Sequence, residues 1–307
     1  MSSSAQNLVT PPAPESSPGT SSSGAGESAP QDGWPGGLAS LRAELDRIDD
    51  TIHALLIERA GIVEQVARQG KPSAFRPGRE ASIVRRLLAR HRGSLPPQTL
   101  FRMWRELLAG TTAMQSPVIV AVCDGDPGAA MTQLAREHFG TFTPLHVHGG
   151  PGQALADVAA GTATVAVLPL PSQANAARDV WWTSLPRRKQ RLHVIARLPF
   201  WTARAEGAPD ARALVVAAAP PDQSERDRSL LVFELEQSAS RARLTADLTA
   251  AGLPVASMVL RADPNESLTW ALVEIEGYVT DGDPRLTALP GRPWVLGGYA
   301  EPVEEVA

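Results

Sequence analysis

The chain has 307 residues, with 29 basic and 33 acidic side chains for a net charge of −4, and 43% of its residues are hydrophobic. That length admits two or three domains at roughly 100–200 residues each, and the balanced charge excludes the basic surface of a nucleic-acid or membrane binder. One cysteine, Cys123, excludes a disulfide framework within the chain and a cysteine-rich metal site.

Residues 1–37 are mostly Ser, Pro, Gly and Ala, a composition that predicts a disordered tail. The opening residues MSSSAQNLVTPPAP lack the apolar stretch of a secretory signal. No apolar run approaches the roughly 20 residues of a membrane span. The expected protein is cytoplasmic and binds neither membrane nor nucleic acid.

Residues 38–116 read as three helices. Leu38, Leu41, Leu45, Ile48, Ile52, Leu55, Ile62 and Val66 recur at three- and four-residue spacing, so the first helix is long and amphipathic, ending at Gly70-Lys71-Pro72. A second helix starts near Pro77, a favoured first-turn residue, and stops before Gly93. A third starts near Pro97, carries Leu100, Met103, Trp104, Leu107 and Leu108, and reaches Gln115. One helix much longer than its neighbours leaves an apolar stripe exposed in a monomer, and an obligate dimer would cover it.

Beyond residue 117 the pattern changes. "PVIVAVCDGDPG" is a strand into a Gly-rich turn, followed by helix "AAMTQLAREHFG", helix "GQALADVAAG" and strands "TATVAVLPLP" and "RLHVIARLPF". His146 and His148 read as strand decoration, not as a metal site. After the strand "ALVVAAA", the order from Ser229 is strand, helix, strand, strand, short helix, strand. That βαββαβ order predicts a ferredoxin-like α+β unit. The predicted architecture is multidomain: a tail (1–37), an all-α three-helix domain (38–116), an α/β region (117–205), and a strand plus βαββαβ domain (206–307). The glycines and aspartates of "CDGDPG" fit neither the dinucleotide fingerprint nor a phosphate-binding loop.

Candidate site residues concentrate in the helical region. Arg42 and Arg59 lie 17 residues apart on the first helix, roughly 25 Å along its axis, so no small metabolite spans both. In an antiparallel dimer, Arg42 of one chain approaches Arg59 of the other. Arg79 and Glu80 of "FRPGRE" would join them, with Thr111 and Gln115 one turn apart on the third helix. Arginine suits a carboxylate through two parallel hydrogen bonds, so such a pocket would take a small dicarboxylate and act by orientation and electrostatics. Each arginine also reads as a solvated charge, as Arg85, Arg86, Arg90 and Arg92 do. Glu80 also reads as an acid at a helix N-terminus, and Gln115 as a helix-end cap.

"LRAELDRIDDTIHALLIERAGIVEQV", "FRPGRE" and "WRELLAGTTAMQ" together resemble the all-helical chorismate mutases over about 75 residues. The resemblance implies an entwined homodimer that converts chorismate to prephenate without a cofactor. It assigns Arg59 and the partner chain's Arg42 to the two substrate carboxylates, with Arg79 in the same cluster. Glu80 would accept from the ring hydroxyl, Gln115 would donate to the ether oxygen, and Thr111 takes the place of a small hydroxyl residue. The family's lysine near the end of the long helix falls at Gly70, with Lys71 one place late. Arg76 stands where many members carry an aspartate. Residues 117–300 resemble a shortened prephenate dehydratase followed by an ACT domain. The dehydratase's Thr-Arg-Phe motif reads Ala211-Arg212-Ala213, and the ACT domain's Glu-Ser-Arg-Pro position reads Val259-Leu260-Arg261-Ala262. The implied C-terminal half is non-catalytic. The alternatives are a working bifunctional mutase–dehydratase and a catalytically dead regulatory protein.

Overall fold

The structure, a computed structural model, describes residues 37–69, 75–125, 129–173, 180–204, 206–208, 210–236, 240–262, 268–289, 291 and 293–304. The expected tail lies outside the described residues apart from Gly37, which starts the first helix. The chain divides into two units, residues 1–56 and 57–307.

The described part of the first unit is helical and belongs to α1 (Gly37–Arg68). No residue of α1 is buried, and Leu38, Leu45, Ile52 and Leu55 are all exposed. The apolar spacing that makes the helix amphipathic therefore leaves its stripe uncovered in the single chain.

In the second unit, α2 (Pro77–Arg90) and α3 (Pro97–Ala113) each begin with a proline in the first turn, where the missing N–H would have had no partner in any case. The third helix ends two residues before Gln115, which follows in a turn. Ala81, Val84 and Leu108 of this pair form a small core with Phe200 and Ala300.

The remaining strands form one nine-stranded mixed sheet in the order β2-β1-β3-β5-β4-β9-β6-β8-β7. Its first part comprises β1 (Val120–Cys123), β2 (Leu145–His148), β3 (Val165–Pro169), β4 (His193–Leu198) and β5 (Ala213–Ala217). Strands β2, β1 and β3 run parallel, joined by the crossover helices α4 (Ala130–Phe139) and α5 (Pro151–Ala160). β5 inserts antiparallel between β3 and β4, so it is continuous with strands of the expected 117–205 region. The second part comprises β6 (Asp227–Glu236), α6 (Arg241–Ala250), β7 (Val255–Ala262), β8 (Leu268–Glu276) and β9 (Trp294–Ala300). Its strands lie β9-β6-β8-β7, all antiparallel, and a 3-10 turn at Pro284–Ala288 stands where a short helix was expected.

Period-two alternation gives this sheet two buried faces. Leu230 and Val232 point into a core that runs the width of the sheet, with Ala166, Val194, Leu214 and Leu272. Leu231 and Phe233 point the other way, under Leu244 and Leu248 of α6. The two parts of the sheet meet where β4 pairs with β9 at Val194 and Gly297. Gly297 has φ +123°, and a Cβ there would sit 2.2 Å from the Val194 carbonyl oxygen. Only glycine permits that approach. The expected α/β and βαββαβ regions therefore share one continuous sheet.

Candidate active site

Arg59, Thr111 and Gln115 come together. Arg59 Nη1 donates to Thr111 Oγ1 at 3.1 Å, and its guanidinium carbon lies 5.7 Å from the centre of the Trp104 ring. Thr111 is buried, and its hydroxyl in turn donates to the Leu107 carbonyl at 2.8 Å. The hydroxyl thus uses both donor and acceptor capacity to fix the arginine. Gln115 Nε2 donates to the Thr111 carbonyl at 3.2 Å. Partial burial lowers the pKa of Arg59 from its ordinary value, but a guanidinium stays charged at any physiological pH. Among the described residues no hydrogen bond occupies its Nε–Nη2 edge, which matches two carboxylate oxygens in parallel.

Glu80 is placed elsewhere. Its Oε2 accepts from Arg105 Nη2 at 2.5 Å, and the two side chains are 8% and 5% exposed. Among the described residues no hydrogen bond or ion pair joins Arg79 or Glu80 to the Arg59 group. Glu80 therefore meets any ligand with one oxygen already engaged. Arg105 was not singled out from the sequence, because a helical arginine is by default a solvated charge. The available signal was its position: Arg105, Leu108 and Thr112 fall on one face of α3, and all three are buried. Beside Arg105, burial and the guanidinium charge push His138 well below the ordinary histidine range.

Arg42 is exposed on the described part of the first unit. Lys71 lies outside the described residues. Arg79 presents an exposed side chain, while its backbone N–H donates to Asp222 Oδ2 at 3.0 Å. Arg76 Nε lies 3.5 Å from the same carboxylate. Of the four arginines expected on the surface, Arg86, Arg90 and Arg92 are exposed. Arg85 is not free: it donates to Ser224 Oγ at 3.2 Å, to the Arg226 carbonyl at 3.2 Å and to the Glu301 carbonyl.

In the C-terminal half, Ala211 and Arg212 line a cavity of about 800 Å³ with Arg197, Arg228, Glu274 and Tyr299. Arg197 donates to the Tyr299 hydroxyl at 3.1 Å, and Arg228 pairs with Glu301 at 2.6 Å. His146 and His148 both contact Asp157, at 3.3 and 2.9 Å.

Residues 41–116 match the family model for chorismate mutase type II. Two curated relatives are bifunctional chorismate mutase/prephenate dehydratases. That of Pseudomonas aeruginosa is 28% identical over 148 residues, 46% of this chain and 40% of the relative. That of Neisseria gonorrhoeae is 33% identical over 104 residues, 34% of this chain and 28% of the relative. The chain thus spans less than half the length of the curated relatives it matches. Among solved structures, the quorum quenching acylase GqqA aligns over 60% of this chain and 95% of its own, with 18% identity and a TM-score of 0.47. The prephenate dehydratase of Streptococcus mutans aligns over 61% and 100%, with 14% identity and a TM-score of 0.44. No described helix is long and apolar enough to cross a membrane.

Proposed function

We propose that this protein is a cytoplasmic chorismate mutase of aromatic amino acid biosynthesis, converting chorismate to prephenate in a pocket shared between two chains. The observation that carries this reading is the Arg59–Thr111–Gln115 group, joined by hydrogen bonds inside the segment that matches the mutase family. The reaction is an intramolecular [3,3] rearrangement: the ether C–O bond breaks as a C–C bond forms, with no proton transfer and no covalent intermediate. A site for it needs only to select the compact conformer and stabilise charge on the departing oxygen. Arg59 offers its open edge to one carboxylate, and Arg42 of the second chain takes the other. Arg79 adds positive charge, Glu80 accepts from the ring hydroxyl with its remaining oxygen, and Gln115 turns its amide to the ether oxygen. Lys71, one place past the family position, contributes less than Gln115.

The second chain is argued from α1. Its apolar residues Leu38, Leu45, Ile52 and Leu55 are exposed along one stripe, and an entwined partner helix of the same sequence would cover them. We assign the βαββαβ unit as a ferredoxin-like, ACT-like domain on its strand order, and the sheet strands before it as a shortened dehydratase-like region.

That region is read as non-catalytic because Ala211, lining the 800 Å³ cavity, supplies no hydroxyl where the dehydratase motif has threonine. The purified chain is therefore expected to stop at prephenate. Product analysis at neutral pH tests this: enzyme-dependent phenylpyruvate would establish the bifunctional reading instead.

A further inference from the structure

The first turn of α2 is capped from far along the chain, and we infer that Asp222 is a positioning residue for the mutase pocket proposed above. Asp222 sits in the loop between β5 and β6. Its Oδ1 accepts from Gly78 N at 2.9 Å and its Oδ2 from Arg79 N at 3.0 Å. The helix supplies no cap of its own: Arg76 holds the N-cap position and its side chain makes no cap hydrogen bond. An aspartate is among the preferred acceptors for the free N–H groups of a first turn, and here its charge also meets the positive end of the helix. The "FRPGRE" segment does hold an anion, and the anion is a carboxylate of the same chain.

The fit is specific. A Cβ at Gly78 would lie 2.4 Å from the Asp222 carbonyl oxygen, so the loop backbone approaches closer than any side chain allows. The loop is itself braced: Ser224 Oγ donates to Asp227 Oδ1 at 2.7 Å, and the Tyr278 hydroxyl to the Pro221 carbonyl at 2.8 Å. About two turns further along α2, Arg85 grips the same loop and the end of β9 through Ser224, Arg226 and Glu301. Two clamps thus fix both the rotation and the height of α2. The residue whose N–H is held is Arg79, and Glu80 follows it. The C-terminal half, without the hydroxyl of the dehydratase motif, serves the mutase by setting where the Arg79 guanidinium points.

This inference rests on the mutase reading, and kinetics on the full chain test it. Asp222→Ala and Gly78→Ala, which break the same contact from opposite sides, are each expected to raise KM for chorismate roughly five- to tenfold, with a smaller change in kcat. Asp222→Asn, which keeps one acceptor, should recover part of the loss. The deciding measurement is a double-mutant cycle with Arg79→Ala. If Asp222 acts through Arg79, the Asp222→Ala/Arg79→Ala chain is no worse than Arg79→Ala alone, to within about twofold. Additive losses in an active enzyme overturn the positioning role alone. A wild-type chain with no turnover overturns the mutase reading together with it.

Discussion

Arg42→Ala and Arg59→Ala chains, each slowed by roughly a thousandfold or more on losing a charge from the pocket, are expected to regain about a quarter of wild-type turnover when co-expressed in equal amounts. The two arginines are 17 residues apart in α1, and the helical rise separates them by roughly 25 Å, too far for one small dianion. If each pocket takes Arg59 from one chain and Arg42 from the other, a mixed dimer has one pocket lacking both and one lacking neither. Random pairing makes half the dimers mixed, and each mixed dimer keeps one of two sites, hence about a quarter. Turnover assays on co-purified mixtures, with heterodimers shown by differential tags, give the answer. Heterodimers without recovery would mean that both arginines serve one chain's own pocket, or that one of them is structural.

The second large effect is on stability. Arg105→Met leaves Glu80 buried without its cation, and breaking a buried pair from one side costs about 3–5 kcal/mol. At roughly 2–4 °C per kcal/mol for a unit of this size, Tm should fall by about 10 °C. Replacing both partners by methionine removes the uncompensated charge, so the Glu80→Met/Arg105→Met chain should recover most of that loss. It should not recover turnover, because the proposed acceptor for the ring hydroxyl is gone. Calorimetry and turnover assays on the same three proteins separate the structural role of Glu80 from its chemical one. A single Arg105→Met chain that melts within about 2 °C of wild type would contradict the account of a closed, desolvated pair.

The elements were legible in the sequence where one periodicity dominates. The leucine and isoleucine spacing of α1 admits only an amphipathic helix, and the apolar runs at Val120–Cys123 and Val165–Pro169 become strands buried at every residue but Pro169. What the spacing does not carry is pairing across distance. The union of two expected regions into one sheet depends on β4 meeting β9 at Gly297, about a hundred residues after Val194. The site was legible to the same degree. Helical counting places Thr111 and Gln115 one turn apart, and the structure adds the contact that counting cannot give, Arg59 of α1 donating to Thr111 across 52 residues. Arg105 was missed because an arginine becomes a core residue only when an acid elsewhere meets it, here Glu80, 25 residues away. Arg85 was misread as solvent-facing for the same reason, and Asp222 was invisible because its partners lie more than 140 residues before it.

The most direct test of the central claim is the rate at which the purified full chain consumes chorismate, followed by its ultraviolet absorbance, with the product identified by NMR at neutral pH. The account predicts first-order loss in proportion to enzyme, with prephenate as the product. Chorismate that disappears no faster than in buffer, from a folded and dimeric protein, would contradict it.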